Sequence, residues 1–244
     1  LQKGIYLKRI LFIISIYFWS SCAVQQNSDN TPVEYQGALK NMMHEGDISA
    51  TADLWEIQGF EHLYALGAIE NLKGEIQIFN GQPYNTFVKD DSLVFDHSFN
   101  KKATLLVYTR VKNWITINIP PGIKSSEQVE KFIEITAAEN DLNMEEPIPF
   151  LIEGEIQSFD WHVIDWKDGD IEHSHEKHVT SGLHGTIENR QVEMLGFYSD
   201  SHHRIFTHHS TNMHIHFRTM DNKSAGHVDD LTLGIDMILK LPKM

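Results

Sequence analysis

Between Met213 and Phe217 (MHIHF) the chain alternates, residue by residue, between an apolar side chain and a histidine. A period of two marks an extended strand, because successive side chains leave opposite faces of a pleated backbone. His214 and His216 then share one face while Met213, Ile215 and Phe217 pack from the other. A polar turn follows at Asp221, Asn222 and Lys223. The chain returns through Gly226, whose missing side chain permits close approach, to His227. Two imidazoles from one strand and a third from its returning neighbour make a three-histidine set with an open position, the ligand arrangement of catalytic zinc. A sheet must form before these residues can meet.

Histidine is abundant beyond this hairpin. The chain has 15, and 11 of them fall between His173 and His227, a concentration that points to metal or proton chemistry or to a solvated loop. His173, His175 and His178 (DGDIEHSHEKH) read as an exposed, flexible loop with the capacity to recruit a second metal. His202, His203, Arg204, His208 and His209 precede the HxH strand and read either as a polar loop or as carboxylate- and proton-handling groups. Trp55, Trp161 and Trp166 read as packing residues, with Trp161, beside His162, placed to face a pocket. A formal net charge of -14 excludes a nucleic-acid binder, which needs a basic surface to displace counterions. The chain offers neither a phosphate-binding glycine loop nor a serine elbow nor a cysteine nucleophile.

At the start, Lys3, Lys8 and Arg9 precede an apolar run from Ile10 to Trp19, followed by Ser20, Ser21 and Cys22. That run is too short to span a bilayer and matches the core of a secretory signal. Small residues before the single cysteine are similar to a bacterial lipobox. Residues 1–22 are therefore expected to be a signal peptide. The product would be exported, a periplasmic or cell-surface lipoprotein that meets the membrane only through a lipid on Cys22. An uncleaved anchor, or cleavage near Ala23, are the alternatives. One cysteine allows no intrachain disulfide. A polar tether is expected over 23–33.

Further along, Gly37 to Glu45 reads as a helix ended by Gly46. Ile76 and Ile78 alternate with Glu75 and Gln77 as in a half-buried strand. Thr104 to Tyr108 and Trp114 to Ile119 are two more strand candidates. Ser125 with Gln128 has capping-box spacing, and Val129, Phe132, Ile133 and Ala137 recur at helical intervals. Strands are expected from Phe150 through Ile164 and from Gln191 to Phe197. The fold class is α+β, mostly β, with an N-terminal half at 34–148, a boundary near Pro149, and a C-terminal half at 149–244 that carries the metal site.

Two separated segments now carry a resemblance. HIHFRTMDNKSAGHVDD, from His214, resembles the acetolactate decarboxylase signature: an HxHF strand, an acidic turn, a glycine and a third histidine at this spacing. YALGAIENLKGEIQIFNGQPY, Tyr64 to Tyr84, is similar to the family's glycine-rich segment, which ends in GE and runs into an apolar strand, a turn and a tyrosine. Tyr35 to Asp47 and Pro149 to Gly154 fall where the family places its first helix and the strand opening its second half. A cupin would place a glutamate soon after the second histidine, and Thr219 to Asp221 has none.

The resemblance implies mixed or antiparallel sheets in two closely packed halves, with Zn2+ on His214, His216 and His227. It implies a carbon–carbon lyase that decarboxylates 2-acetolactate, or a close small-molecule α-hydroxy-β-keto acid, to acetoin. It also implies a homodimer and a catalytic role for Glu75, the glutamate of the GE pair. Three departures bear on turnover. His162 stands where the family has an arginine suited to the substrate carboxylate, and Ala68 stands where it has a hydroxyl. The family's chain also runs on past the equivalent of Leu241 and Pro242 to return another glutamate, whereas this sequence ends at Met244. His162 and Arg204 are the candidates to replace the missing groups. The alternative is a non-catalytic lipoprotein that binds metal or a small acid on the same fold.

Overall fold

The computed structural model describes residues 30–244; the expected leader, Cys22 and the tether through residue 29 lie outside the described residues. Asn30 to Val33, the end of that tether, is docked on the fold, with the Thr31 N–H donating to the Arg110 carbonyl at 3.1 Å.

Alternating segments become strands, and every strand pair is antiparallel. The first sheet holds β1 (Glu34–Gln36), β2 (Ala52–Asp53), β3 (Leu63–Ile69), β4 (Glu75–Phe79), β5 (Gln82–Pro83), β6 (Asn85–Lys89), β7 (Ser92–Asp96) and β8 (Lys102–Arg110). Its order is β1-β8-β3-β4-β6-β7, with β2 on β8 and β5 on β4. The second holds β9 (Trp114–Asn118), β10 (Ile148–Val163), β11 (Leu183–Tyr198), β12 (Met213–Thr219), β13 (Ala225–Thr232) and β14 (Ile238–Pro242). β10 and β11 pair from Ile148 opposite Tyr198 to Val163 opposite Leu183. β11 pairs with β12, β12 with β13, and β13 returns to β10 at Ser158–His162, so four strands close on themselves.

The chain passes between the sheets at Val111–Asn113, ahead of Pro149. β9 pairs with β14, and α1 (Ser126–Glu139) packs Val129, Ile133 and Ala137 into the core of the second sheet. Both elements thus sit with the half that sequence reading starts only at residue 149. Pro149 lies inside β10, at a stretch paired on one edge only, where a missing N–H is tolerated. The capping box is formed. Ser125 Oγ accepts from the Gln128 N–H and Gln128 Oε1 accepts from the Ser125 N–H, worth about 1 kcal/mol against an uncapped start. Gly37 to Glu45 departs from its expected helix. It makes only a π-helical turn at Asn41–Glu45, closed by Gly46 in the left-handed region at φ 66°.

Three apolar layers result. One lies between α1 and the second sheet. A second lies between the two sheets, where Leu66, Leu105 and Val107 meet Leu151, Leu195 and Phe197. The third covers the far face of the first sheet with Leu54, Ile57, Ile76 and Ile78. β4 is therefore buried on both faces instead of half-buried. Ile76 and Ile78 join the outer layer, while Glu75 and Gln77, only 4% and 0% exposed, point at the second sheet. Water does not solvate that polar face; the site described below does.

Gly226 on β13 fits because a Cβ there would lie 2.6 Å from the His162 carbonyl oxygen on β10. Gly226→Ala is expected to push β13 off β10, costing about 1–3 kcal/mol in urea unfolding and weakening metal binding through displaced His227. Wild-type stability in this variant would show that β13 can shift freely.

Candidate metal centre

His214 and His216 leave β12 on the face turned to the first sheet, while Met213, Ile215 and Phe217 enter the α1-side core. β13 brings His227 directly opposite His216. The three rings converge. His214 Nε2 lies 3.2 Å from His216 Nε2 and 3.2 Å from His227 Nδ1, which is 3.4 Å from His216 Nε2. Tetrahedral ligands at metal–nitrogen bonds of about 2.0–2.1 Å stand roughly 3.3–3.4 Å apart. The triangle thus matches a metal centre whose ion sits on three imidazoles and keeps a position open.

Protonation agrees with that geometry. Burial lowers His214 to about 4 and holds His216 and His227 well below the ordinary histidine value, so all three present lone pairs at neutral pH. Gln77, two residues along β4 from Glu75, sets one tautomer. Its amide nitrogen donates to the Tyr84 carbonyl and to Thr86 Oγ1, which turns Oε1 toward His216. His216 Nδ1–H donates to that oxygen at 3.1 Å, leaving Nε2 for the metal. His214 Nδ1 is buried without a partner in hydrogen-bond geometry, although the Phe206 backbone beside it favours a proton there.

Glu75 reaches the triad from the opposing sheet. Oε1 accepts the Ile164 N–H at 3.2 Å, and Oε2 lies 3.7 Å from His216 Nε2. Burial pushes its carboxyl up to about 7, against the pull of His162 and the Ile164 N–H. A bound dication would draw it back down. His162 Nε2 stands 3.9 Å from Glu75 Oε1, and its Nδ1 is 2.9 Å from both oxygens of Asp229. Burial works against the imidazolium, yet the Asp229 hydrogen bond and the charges of Glu75 and Asp229 outweigh it and raise His162 above the ordinary value. Asp229 was not singled out in sequence reading. The available signal was its place two residues beyond His227, on the same face of β13; Gln77 stands in the same relation to Glu75.

Glu75, His162, His214 and His227 form the floor of a cavity of about 530 Å3 between the sheets, with His216 buried behind them. Ala68 lines it from β3, directly opposite Glu75 in the strand register, and offers no donor. Its wall is Leu39, Met42, Leu72, Leu105, Ile164 and Phe206, and its mouth is built by three loops. The 173–178 segment, expected as an exposed loop, packs in part on an aromatic. His173 stacks on Trp166 at 4.3 Å, bonds His178 at 2.9 Å, and leads into α2 (His175–Thr180), capped by Ser174. The 202–209 cluster divides. Arg204, His208 and His209 line the cavity, whereas His202 bonds Ser199 and stacks on Phe206, and His203 bonds Asn212. Arg204 lies at the mouth, apart from the triad. Trp161 packs on Phe217 and does not line the cavity, and Trp55 is 61% exposed.

The family model described as Alpha-acetolactate decarboxylase matches residues 35–241. The solved alpha-acetolactate decarboxylase of Bacillus subtilis strain 168 is similar in structure, at 17% identity and a TM-score of 0.70 over 88% of this chain and 86% of that one. A Staphylococcus aureus protein described as of unknown function and similar to alpha-acetolactate decarboxylase aligns at 14% identity and a TM-score of 0.65, with the same coverage. No curated protein matches the chain by sequence.

Gln77→Leu removes the acceptor that orients His216. Metal affinity, measured by competition with a chromophoric chelator, is expected to fall about 10–100-fold; unchanged affinity would show that packing alone holds the ring. Acid should also destabilise the metal-free protein. Unfolded imidazoles take protons near 6.5 and the folded ones only far lower, so stability is full above about pH 6.5 and is lost as pH falls toward about 4. Glu75, raised from 4.5 to about 7, works in the opposite sense and offsets roughly the contribution of His214. His162, also raised, adds to that offset, and His216, His227 and His178 carry the balance toward acid instability. A metal-free Tm that stayed level from pH 7 to 5 would contradict this.

Proposed function

Because the chain belongs to the alpha-acetolactate decarboxylase family, we propose that it is a zinc-dependent lyase that converts 2-acetolactate, or a close α-hydroxy-β-keto acid, to acetoin and carbon dioxide. The observation that carries this reading is Glu75, a buried carboxyl set 3.7 Å from a metal-binding nitrogen with no lysine or arginine to neutralise it. A purely structural metal site is closed by its own ligands. This one opens on a cavity and has an acid beside it. His214, His216 and His227 would hold the ion, and an all-imidazole set at tetrahedral spacing suits zinc.

The chemistry needs charge stabilisation and one proton. The bond to the carboxyl carbon breaks, carbon dioxide leaves, and the electron pair passes onto the adjacent ketone oxygen. A proton then reaches the carbon that carried the carboxylate, giving the hydroxy ketone. When bound, zinc supplies positive charge beside the oxygens on which that electron density gathers. Glu75 supplies the proton: the Ile164 N–H occupies Oε1 and leaves Oε2 facing the reacting groups. His162, its Nδ1 engaged by Asp229, turns Nε2 inward and gives the substrate carboxylate one charged donor. An arginine would give two in a fixed fork, so the grip at this depth is the weaker kind. The apolar wall keeps water from protonating the wrong atom.

The test is acetoin release from racemic 2-acetolactate by purified, zinc-loaded protein, with Glu75→Gln and His216→Ala alongside. Activity lost in both variants, with zinc still bound by Glu75→Gln, is the expected result. A wild type that binds one zinc per chain and yields no acetoin from any α-hydroxy-β-keto acid would leave a binding protein on this fold. Ala68, which lines the cavity without a donor, is the feature that favours that rival.

A further inference from the structure

The cavity is segregated by charge along its depth. At the floor stand His214 and His227 of the triad, His162 and Glu75, the only carboxylate among the described residues that lines it. Above them the wall is apolar. At the mouth stand Lys40, Arg204, His175, His208 and His209. The side chains of Lys40 and Arg204 have no carboxylate partner among the described residues, and both are exposed. In a chain with formal charge -14, two unpaired cations at one opening are a local reversal of sign.

The two cations are brought together by backbone. The Lys40 N–H donates to the Arg204 carbonyl and the Leu39 N–H to the Ile205 carbonyl, both at 2.8 Å. Arg204 itself is held in the left-handed region at φ 63°, which disfavours a side chain of this kind by about 1–2 kcal/mol. The Ile205 N–H to the His202 carbonyl, at 3.0 Å, closes the turn that imposes it. Strain at a cavity-lining residue points to a task for that residue. Asp170 is engaged by Lys177 at 3.0 Å and Asp165 by Lys73 at 3.4 Å, and Glu45 and Glu176, next in sequence to His44 and His175, do not line the cavity.

A cavity of about 530 Å3 falls in the range that encloses drug-sized ligands, roughly 300–1,000 Å3. 2-Acetolactate, a five-carbon acid with a single carboxylate, fills only part of that volume, and with its carboxylate at His162 it presents no second anion to Lys40 and Arg204. We propose that the substrate is an α-hydroxy-β-keto acid with an alkyl chain that ends in a second acid group, taken by Arg204 with Lys40. The inference rests on the decarboxylase reading and adds a specificity site to it. The hydroxy keto acid head sits on the floor, the alkyl chain lies against Leu39, Met42 and Phe206, and the terminal anion meets the guanidinium. The same charge steers the dianion to the mouth.

The test compares three substrates on zinc-loaded full-length protein: 2-acetolactate, a homologue with a longer alkyl chain, and that homologue ending in carboxylate. The acid-ended compound should have the highest kcat/KM. Arg204→Gln should lower that value about 10–100-fold through KM, the loss expected for a charged hydrogen bond, and should lower the alkyl-ended value far less. Lys40→Gln should do the same more weakly. Equal or better turnover of the uncharged tails, or an Arg204→Gln effect equal on all three, overturns the inference while leaving the decarboxylase standing. Should none of the three react, the decarboxylase reading has failed and calorimetry still tests the mouth. Hexanedioate should then bind more tightly than hexanoate, by a margin that Arg204→Gln removes. No difference between the two acids overturns it. Zinc stoichiometry confirms that both variants are folded.

Discussion

Three imidazole nitrogens held 3.2–3.4 Å apart out of water are the constraint to which the rest of the molecule answers. Neutral rings that present lone pairs to one point repel one another, and protonation would bury charge, so the apo arrangement is unfavourable either way. Surrounding structure must hold it. β12 and β13 register His216 against His227, Gly226 lets β13 lie on the His162 carbonyl, and the closed ring of strands prevents the hairpin from splaying. Across the interface, Thr86 Oγ1 donates to the Ala225 carbonyl at 3.3 Å while Gln77 engages His216, so the first sheet clamps the second at the site itself. A metal converts the repulsion into bonding, and its binding energy then adds to folding.

The two titratable groups beside the triad are tuned in opposite directions by one pocket. Burial alone would neutralise both. Glu75, with a backbone N–H and a distant imidazole for partners, is pushed toward the acid form. His162, bonded to Asp229 through both oxygens, is held above the ordinary histidine value despite similar burial. A carboxyl pushed toward its acid form therefore stands 3.9 Å from an imidazole pushed toward its cation. That pairing is what a decarboxylation asks of a protein, which has to grip the group that leaves and protonate the carbon it leaves behind.

The convergence of the three histidines was legible in the sequence because their spacing is local. His214 and His216 are two apart on a strand, and His227 follows one turn later. The α1 start was legible for the same reason, as a capping box spans four residues. Asp229 and Gln77 were less visible, since their importance comes from partners 67 and 139 residues away. The helix expected over Gly37 to Glu45 is only a π-helical turn at Asn41–Glu45, and the Leu39 and Lys40 N–H groups ahead of it go to the Ile205 and Arg204 carbonyls, partners the local sequence does not reveal. Pro149 looked like a boundary, and lies within a 16-residue strand instead. A proline reports a missing N–H and cannot report whether a neighbouring strand wanted it. Likewise the 173–178 histidines read as solvated until Trp166 supplied a face to stack on.

Floor and mouth are held by different kinds of structure, and this separates reaction from selection. Every floor residue projects from a strand paired on at least one side, so its position is set by ladders that tolerate little change. The mouth belongs to segments 39–44, 173–178 and 204–209; the first and last are joined by backbone bonds, and the three rest on the sheets through a few side chains such as Met42 and Phe206 and through Trp166. Loops of this kind vary at small cost to the core. On the proposed reading, His162 offers the carboxylate at the floor a single donor where an arginine would offer two. The cations at the rim act on the other end of a longer substrate, and so recover binding without returning charge to the buried centre, where another guanidinium would compete with the metal ion for Glu75.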